Sequence, residues 1–456
     1  MRALNALKIM YNNDTIAALA TPPGIGALAI IRISGENLRV LFHKLTQNKT
    51  IKDRLATFSS VYCPNTQEAL DSGIIIYFKA PNSFTGEDLI EINCHGGEYI
   101  SKSILSSLYA YNIRPANPGE FSFRAFMNGK IDLIQAEAIS ELISSKSTRA
   151  AKNNLNNING YVSNYVDKLR DDIINLLSII EHELDFTEEE IEQTRYDKLA
   201  DELYKIDSAI SKIVNTSAMG KMLSSGARVV LFGPPNAGKS SLFNAILGFD
   251  RAIVSDVSGT TRDVVEAWFE LSGIPVCLID TAGYWDSDNY LESIGIERTK
   301  QQVMLADIVL FIDIKDPVQT FSHLNLNLDE GKLLFIRSKS DLNNDFTVSD
   351  PDIISISTKN NEGIASLLDA LSVKLSSTFG SHSSLDPIIV SKRQQHLLLE
   401  AQNISNKALS LTDNNIETDI LASVLHGLND TLSEVIGNIS NTEVVNNIFS
   451  EFCVGK

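Results

Sequence analysis

Gly233-Pro234-Pro235-Asn236-Ala237-Gly238-Lys239-Ser240 is the stretch on which the reading of the fold turns. It fits the spacing G-x-x-x-x-G-K-[ST], follows the β-branched run Val229–Phe232 and opens a helical stretch, Ser241–Leu247. The chemistry requires these residue types. Glycines let successive backbone N–H groups close round phosphate oxygens, Lys239 places a cation on the β/γ oxygens, and Ser240 offers a hydroxyl to Mg2+. The start of the following helix adds favourable partial charge for an anion. An ordinary glycine turn can match such a pattern by itself, so the flanking text decides.

That text has a consistent texture. Val276–Ile279, Ile308–Ile312, Leu333–Ile336 and Ile353–Ile356 are short apolar runs without alternation, as expected of parallel strands buried on both faces. Helical spacing between them makes βαβ units and hence a doubly wound sheet. At the predicted strand ends stand Asp280-Thr281-Ala282-Gly283, Ser338-Lys339-Ser340-Asp341 and Ser357-Thr358-Lys359, with Gly259-Thr260-Thr261-Arg262-Asp263 between the phosphate loop and the first of these. The order is that of the five motifs of a GTP-hydrolysing switch domain. Candidate GTP contacts are Asn236, Ala237, Gly238, Lys239, Ser240 and Ser241, then Gly259, Thr260 and Thr261, to which resemblance to known GTPases adds Ser255, Asp256, Val257 and Ser258. Asp280, Thr281, Ala282 and Gly283 follow, then Ser338, Lys339, Ser340 and Asp341, with Asp341 as the guanine-reading carboxylate. Two positions depart from the usual pattern. Ser338 stands where the guanine motif has Asn, which predicts a weaker grip on the base. Tyr284 stands where Ras-type proteins place a water-orienting Gln, so Glu292 becomes the candidate for that role.

Around this core the composition is that of an ordinary multidomain globular protein: 456 residues, 43% hydrophobic, 21% charged. A net charge of −18 argues against nucleic-acid binding through a broad basic stripe. The sequence holds no run of about 18 apolar residues, so no membrane span is expected. Four widely spaced cysteines without a C-x-x-C pair suit reduced thiols in a cytoplasmic protein. Residues 1–127 read as an α+β domain, with strands at Ala27–Ile33, Gly73–Phe78 and Leu89–Asn93 punctuated by proline and glycine turns. No proline lies between Pro118 and Pro234, and apolar residues recur there at helical spacing, so long helices are predicted. The division is then 1–127 α+β, 128–220 helical, 221–376 an inserted doubly wound P-loop domain, and 377–456 helical again with a mobile, cysteine-bearing tail.

The phosphate loop and Gly259–Asp263 together resemble the TrmE–Era–EngA class of GTPases. The match narrows further along the chain. Asp14-Thr15-Ile16-Ala17, Thr21-Pro22-Pro23-Gly24, Arg32-Ile33-Ser34-Gly35, the loop Pro81–Asp88 (PNSFTGED) and His95-Gly96-Gly97 are followed by Pro118-Gly119-Glu120-Phe121-Ser122, Arg124-Ala125-Phe126 and Gln135-Ala136-Glu137-Ala138. The chain ends Phe452-Cys453-Val454-Gly455-Lys456. From near Asn13 onward this text is similar to the MnmE (TrmE) family of tRNA-modification GTPases.

The resemblance implies a homodimer whose N-terminal domain binds a 5-formyltetrahydrofolate-type one-carbon donor through Arg32, Glu91, Lys130 and the terminal Lys456. Without it, Arg32 and Glu91 are unexceptional residues on strands. It implies K+-stimulated hydrolysis, with Asn236, Ser255, Val257 and Thr260 as potassium ligands, Ser240 and Thr261 as magnesium ligands, and Glu292 orienting the attacking water. It makes Cys453 catalytically important, and it implies a flavin-dependent partner, MnmG, assembled with the homodimer as a heterotetramer-type complex. The pair would install aminomethyl or carboxymethylaminomethyl groups on tRNA wobble uridines. An Era-like RNA- or ribosome-binding assembly switch is the alternative, but the flanking domain carries PNSFTGED, HGG and PGEFS in place of a basic G-x-x-G module. A folate-binding scaffold with a degenerate nucleotide site is the third reading. It is disfavoured by intact Lys239, Ser240, Thr261, Asp280 and Asp341.

Overall fold

The computed structural model describes residues 14–184, 194–249, 265–281, 301–324, 326, 328–342, 352–379, 388, 391–413, 418–438, 445, 448–450 and 452–455. Of the sequence expectations, those on 255–263, 282–285, 292 and 456 lie outside the described residues. The chain divides into two compact units, one of residues 1–140, 157–177 and 426–456, the other of residues 141–156 and 178–425.

The first unit is built on a mixed sheet with strand order β3-β4-β5-β2-β1-β6. Its strands are β1 (Ile16–Leu19), β2 (Leu28–Gly35), β3 (Thr57–Tyr62), β4 (Ala69–Phe78), β5 (Asp88–His95) and β6 (Arg114–Pro115). β2 runs antiparallel to β5 with Arg32 opposite Glu91 and Ile33 opposite Ile90. Helices α1 (Arg39–Thr46) and α2 (Glu98–Tyr109) close one face of the sheet, where Ile31, Ile33, Phe42, Leu45, Ile75, Ile92, Ile104 and Leu108 form one buried core. β1 and β6 are absent from the sequence reading: four residues and two residues give periodicity too little length to register. α3 (Glu120–Met127) and α4 (Leu133–Ser144) follow. Their Phe123 and Leu133 pack with Phe449 and Phe452 near the C-terminus, the rings of Phe123 and Phe449 meeting edge to face at 5.5 Å.

Long helices then appear where proline is absent: α5 (Thr148–Ile158), α6 (Tyr161–Leu184), α7 (Thr194–Val214) and α8 (Ser217–Ser225). In the second unit α7 lies along α12 (Lys392–Asp413), with Gln402 Nε2 donating to Ser211 Oγ at 2.8 Å. α13 (Thr418–Ile436) completes the helical text after the sheet.

The second unit's sheet has the order β12-β11-β10-β7-β9-β8. β7 (Ala227–Phe232), β9 (Ile274–Asp280), β10 (Ile308–Asp313), β11 (Leu333–Arg337) and β12 (Ile353–Ser355) are all parallel. Alternate residues feed two separate cores. Val229, Leu231, Leu310 and Ile312 pack beneath Leu242 and Ile246 of α9 (Lys239–Leu247) and Leu367 and Leu371 of α11 (Ile364–Phe379). Val230, Phe232, Val309 and Phe311 face the other side, where Phe321 of α10 (Pro317–Ser322) meets Phe311 edge to face at 5.1 Å. Burial on both faces is the reason these runs lack alternation. The fold is therefore multidomain α/β: an N-terminal α+β part, helical segments, and an inserted doubly wound P-loop domain.

β8 (Val265–Leu271) is a strand that the sequence pattern does not reveal. It pairs antiparallel with β9 through a two-residue turn, Ser272-Gly273, both at positive φ (52° and 84°). That is the turn geometry matched to strand twist. β8 is an edge strand whose first residues are exposed, so it lacks the unbroken apolar run of its neighbours. Among the described residues no helix is long and apolar enough to cross a membrane.

Candidate functional site

The nucleotide motifs converge at the carboxyl ends of the parallel strands, the place where open α/β sheets bind ligands. β7 ends at Phe232, and Gly233 follows with φ 150°. A Cβ there would lie 2.1 Å from the carbonyl oxygen of Ile312 on the adjacent strand. Only glycine lets the loop leave the sheet at this point. Asn236 (φ 59°) and Gly238 (φ 94°) complete the turn, and α9 starts at Lys239 with Ser240 and Ser241 exposed in its first turn. Lys239 is 4% exposed, and its Nζ donates to the carbonyls of Gly233 (2.9 Å) and Pro234 (2.8 Å). The ammonium is thus held inside the loop that would close round phosphates.

Asp280, at the end of β9, sits opposite Leu231 of β7 in the parallel register and is buried. Thr281 Oγ1 donates to Leu231 O at 2.7 Å, which ties the end of β9 to the strand that carries the loop. On the other flank Ser338 N donates to Asp313 O at 2.8 Å, and the Ser338 hydroxyl donates to Ala237 O at 2.5 Å. Lys339, in the left-handed region (φ 54°), sends its Nζ to Asn236 O at 2.9 Å. Two consecutive side chains therefore fasten the Ser338–Asp341 segment to the Gly233–Ser240 loop. The 3-10 turn Ser340–Leu342 then presents Asp341, whose Oδ1 accepts the Ser357 hydroxyl at 2.8 Å. Ser357 is fully buried, and its backbone exchanges 3.0 Å hydrogen bonds with Glu362. The sequence marks Ser357 only as part of a motif; that it orients Asp341 is visible in the structure alone. Asn236 to Ser241, Asp280, Thr281 and Ser338 to Asp341 are brought together. Ser255, Asp256, Val257, Ser258, Gly259, Thr260, Thr261, Ala282, Gly283 and Glu292 lie outside the described residues.

A second constellation occupies the first unit. Arg32 Nε and Nη2 both bond Glu91 Oε1, at 3.0 and 2.8 Å across the β2–β5 pair. The guanidinium lies 5.8 Å from the ring centroids of both Phe84 and Phe121. Arg32 Nη1 donates to Gly455 O at 3.3 Å. The C-terminal tail is therefore held rather than mobile. Val454 bridges Pro118, and Gly119 N donates to Cys453 O at 3.3 Å. Gly455 adopts φ 93°, where a Cβ would lie 2.3 Å from Leu19 O. Cys453 is exposed beside this anchor. Lys130 packs against the PNSFTGED loop at Gly86, where an added Cβ would meet Lys130 Cγ at 3.2 Å. Lys456 lies outside the described residues.

The same unit carries an ionic network centred on the buried side chains of Arg124 and Glu120. Arg124 bonds the Asp14 backbone and carboxylate (both 2.8 Å), Glu87 (3.1 Å) and Glu120 (3.0 Å), while Arg114 bonds Asp14 and Glu120 at 2.7 Å each. Ser34 Oγ donates to Glu87 Oε2 at 2.8 Å. Burial pulls the Asp14 and Glu120 carboxyls up, but hydrogen bonds from Arg114 and Arg124 outweigh it and hold both below the ordinary range. The network fixes the PNSFTGED loop against α3, which places Phe84 and Phe121 over Arg32. By contrast, burial pushes the thiols of Cys94 and Cys277 up to about 11, which leaves them protonated and unreactive.

Comparison with known proteins follows the same geometry. Residues 133–453 match the model of the MnmE helical domain, and residues 15–130 match that of the GTP-binding protein TrmE N-terminus. The tRNA modification GTPase MnmE of Francisella philomiragia is 36% identical over 98% of this chain and 100% of its own length. The protein of the same description from Aliarcobacter butzleri is 38% identical, again over 98% and 100%, and that from Aquifex aeolicus is 36% identical over 97% and 100%. Among solved structures, the G domain of the T. maritima FeoB iron transporter aligns with 33% of this chain and 98% of its own, at 22% identity and a TM-score of 0.26.

Proposed function

The chain belongs to the MnmE family of tRNA modification GTPases and is a GTP-hydrolysing enzyme, and from that premise we propose how its residues act. The observation that carries the proposal is the convergence of Lys239, Asp280 and the Ser338–Asp341 segment on one loop at the carboxyl ends of the sheet.

Loop N–H groups and Lys239 hold the β and γ phosphates, and Asp341 accepts from the base. Glu292 orients a water on the γ-phosphorus. The water oxygen bonds to that phosphorus as the bond to the bridging oxygen breaks; the electron pair leaves on the β-phosphate and the water proton ends on the released phosphate, giving GDP and inorganic phosphate. Ser240, exposed in the first turn of α9, offers a hydroxyl that suits a hard cation preferring oxygen ligands; Ser240 and Thr261 would hold Mg2+. Asn236, Ser255, Val257 and Thr260 would hold K+, which supplies positive charge where charge develops on the transferring phosphoryl group. Arg32, pinned on Glu91 with the rings of Phe84 and Phe121 each 5.8 Å from its guanidinium, sets a planar cation among aromatic faces, which suits a pteridine. Arg32, Glu91, Lys130 and Lys456 would bind the formyl-tetrahydrofolate-type donor, which supplies the one-carbon unit, with Cys453 acting beside it. The reading includes the division at 127, 220 and 376, a homodimer, MnmG as partner, cytoplasmic location, and the wobble uridine of tRNA as the modified base.

The test is phosphate release from GTP and ATP in KCl and in NaCl at equal ionic strength, with 5-formyltetrahydrofolate binding measured calorimetrically on wild type and Arg32→Ala. GTP-selective release that rises strongly with K+, and folate binding lost in Arg32→Ala, are the expected results. Equal rates in both salts would remove the potassium role, and folate binding indifferent to Arg32 would remove the donor site.

A further inference from the structure

We propose that Ser338 is a tether and not a reader of the base, so that the site recognises guanine with no contact from residue 338 to N7. The proposal rests on the reading of this loop cluster as the GTP site.

Guanine presents acceptors at N7 and O6 along one edge and donors at its Watson–Crick side. Ionised Asp341 only accepts, so it matches the donors. Any residue that reads N7 must supply a proton. Serine has one hydroxyl proton, and at Ser338 both oxygen neighbours of Oγ are carbonyls: Ala237 O at 2.5 Å and Asp313 O at 3.4 Å. The single proton is therefore directed to the phosphate loop, in a site only 4% exposed. Turning it toward the base would leave the Ala237 carbonyl without that bond, and a buried acceptor left unbonded costs more than a new hydrogen bond to N7 returns. The neighbouring anchors reinforce this assignment. Ser338 N is held by Asp313 O and the adjacent Lys339 Nζ by Asn236 O, so the whole segment is drawn toward the loop. A carboxamide, with two N–H donors, could serve loop and base at once; a hydroxyl cannot. Ser338 thus preserves the geometry of the base-reading segment while leaving N7 of the purine unread by residue 338.

The experiment is equilibrium binding of GTP, 7-deaza-GTP (N7 replaced by C–H) and ITP (no 2-amino group) to the full-length protein, in wild type and in Ser338→Asn and Ser338→Ala. In wild type, 7-deaza-GTP binds within about twofold of GTP, while ITP is weaker by roughly ten- to 150-fold, the range for a hydrogen bond lost from a charged partner. Ser338→Asn tightens GTP by roughly two- to tenfold, the range for one neutral hydrogen bond, and brings a matching preference for GTP over 7-deaza-GTP. Ser338→Ala weakens both in equal proportion because it removes only the tether. A fivefold or greater preference of the wild type for GTP over 7-deaza-GTP would overturn the proposal, and this comparison needs no variant to fold. ITP bound as tightly as GTP would instead overturn the reading of Asp341, and the two failures are distinguishable.

Discussion

Replacing Arg124 by Met should destabilise the first unit by about 3 kcal/mol at neutral pH and raise the pH at which it unfolds in acid. Arg124 is 5% exposed and bonds Asp14, Glu87 and Glu120, the last with a side chain 1% exposed. Methionine fills most of the volume but leaves the carboxylates without that partner. Removing one partner of a buried ion pair costs about 3–5 kcal/mol. The lower end applies because Arg114 still holds Glu120 and Asp14, and Ser34 still holds Glu87. For a unit of this size about 3 kcal/mol corresponds to a midpoint lowered by roughly 6–12 °C. The pH dependence has a definite sign. Asp14 and Glu120 are held below their unfolded values, so the stability they contribute is complete above the unfolded carboxylate range of about 4. It is lost as pH falls through their lower folded values. Without Arg124, burial is opposed by fewer bonds and the folded value of Glu120 rises. The variant therefore loses less stability on acidification, and the difference between the two is largest at neutral pH; because it starts about 3 kcal/mol lower, it still unfolds at a higher pH than the wild type. Hydrogen exchange over β2 and β5 in the full-length protein, from pH 7 downward, measures this for the first unit alone. Protection unchanged to within about 0.5 kcal/mol at pH 7, or the same acid midpoint in both proteins, would refute the reasoning, since 0.5 kcal/mol is typical of a neutral surface change. Arg124→Lys, which keeps the charge but loses the planar fork, should fall between.

Three further outcomes follow from particular contacts. Gly233→Ala should weaken GTP binding by roughly one to two orders of magnitude, because its Cβ would press on Ile312 O and its φ is strained for any L side chain; fluorescent-nucleotide titration checks this. Glu270→Ala should raise amide exchange at the start of α5 by about fivefold while leaving GTP affinity unchanged. Glu270 Oε2 accepts from both Thr148 N (2.8 Å) and Thr148 Oγ1 (3.1 Å), a cap worth about 1 kcal/mol. Leu371→Ala, at a fully buried position under the second sheet, should cost about 2–5 kcal/mol in urea unfolding of that unit without altering the KCl-to-NaCl ratio of GTP hydrolysis.

These contacts also explain which parts of the molecule are legible in the sequence. β7 and β10 declare themselves because each buries both faces, so consecutive apolar residues have no polar interruptions. β8 does not, because an edge strand buries one side only; what identifies it is the Ser272-Gly273 turn and its pairing with β9. The phosphate loop is contiguous, and its glycines are required by local backbone geometry, so its spacing alone carries the chemistry. The Arg124 network spreads over positions 14, 87, 114, 120 and 124, and no local pattern links them until β1, β6 and α3 are assembled. Ser338 stands between these cases. Its identity shows in the sequence as a departure from the usual asparagine, and a weaker grip on guanine is the natural expectation. Which function is lost depends on where one hydroxyl proton points, and that is set by Ala237, 101 positions away along the chain. The serine keeps the bond that fastens two loops and gives up only the donors it lacks. A substitution at a recognition motif therefore need not weaken every duty of the residue replaced, because the duty served by the shortest hydrogen bond can survive the change of side chain.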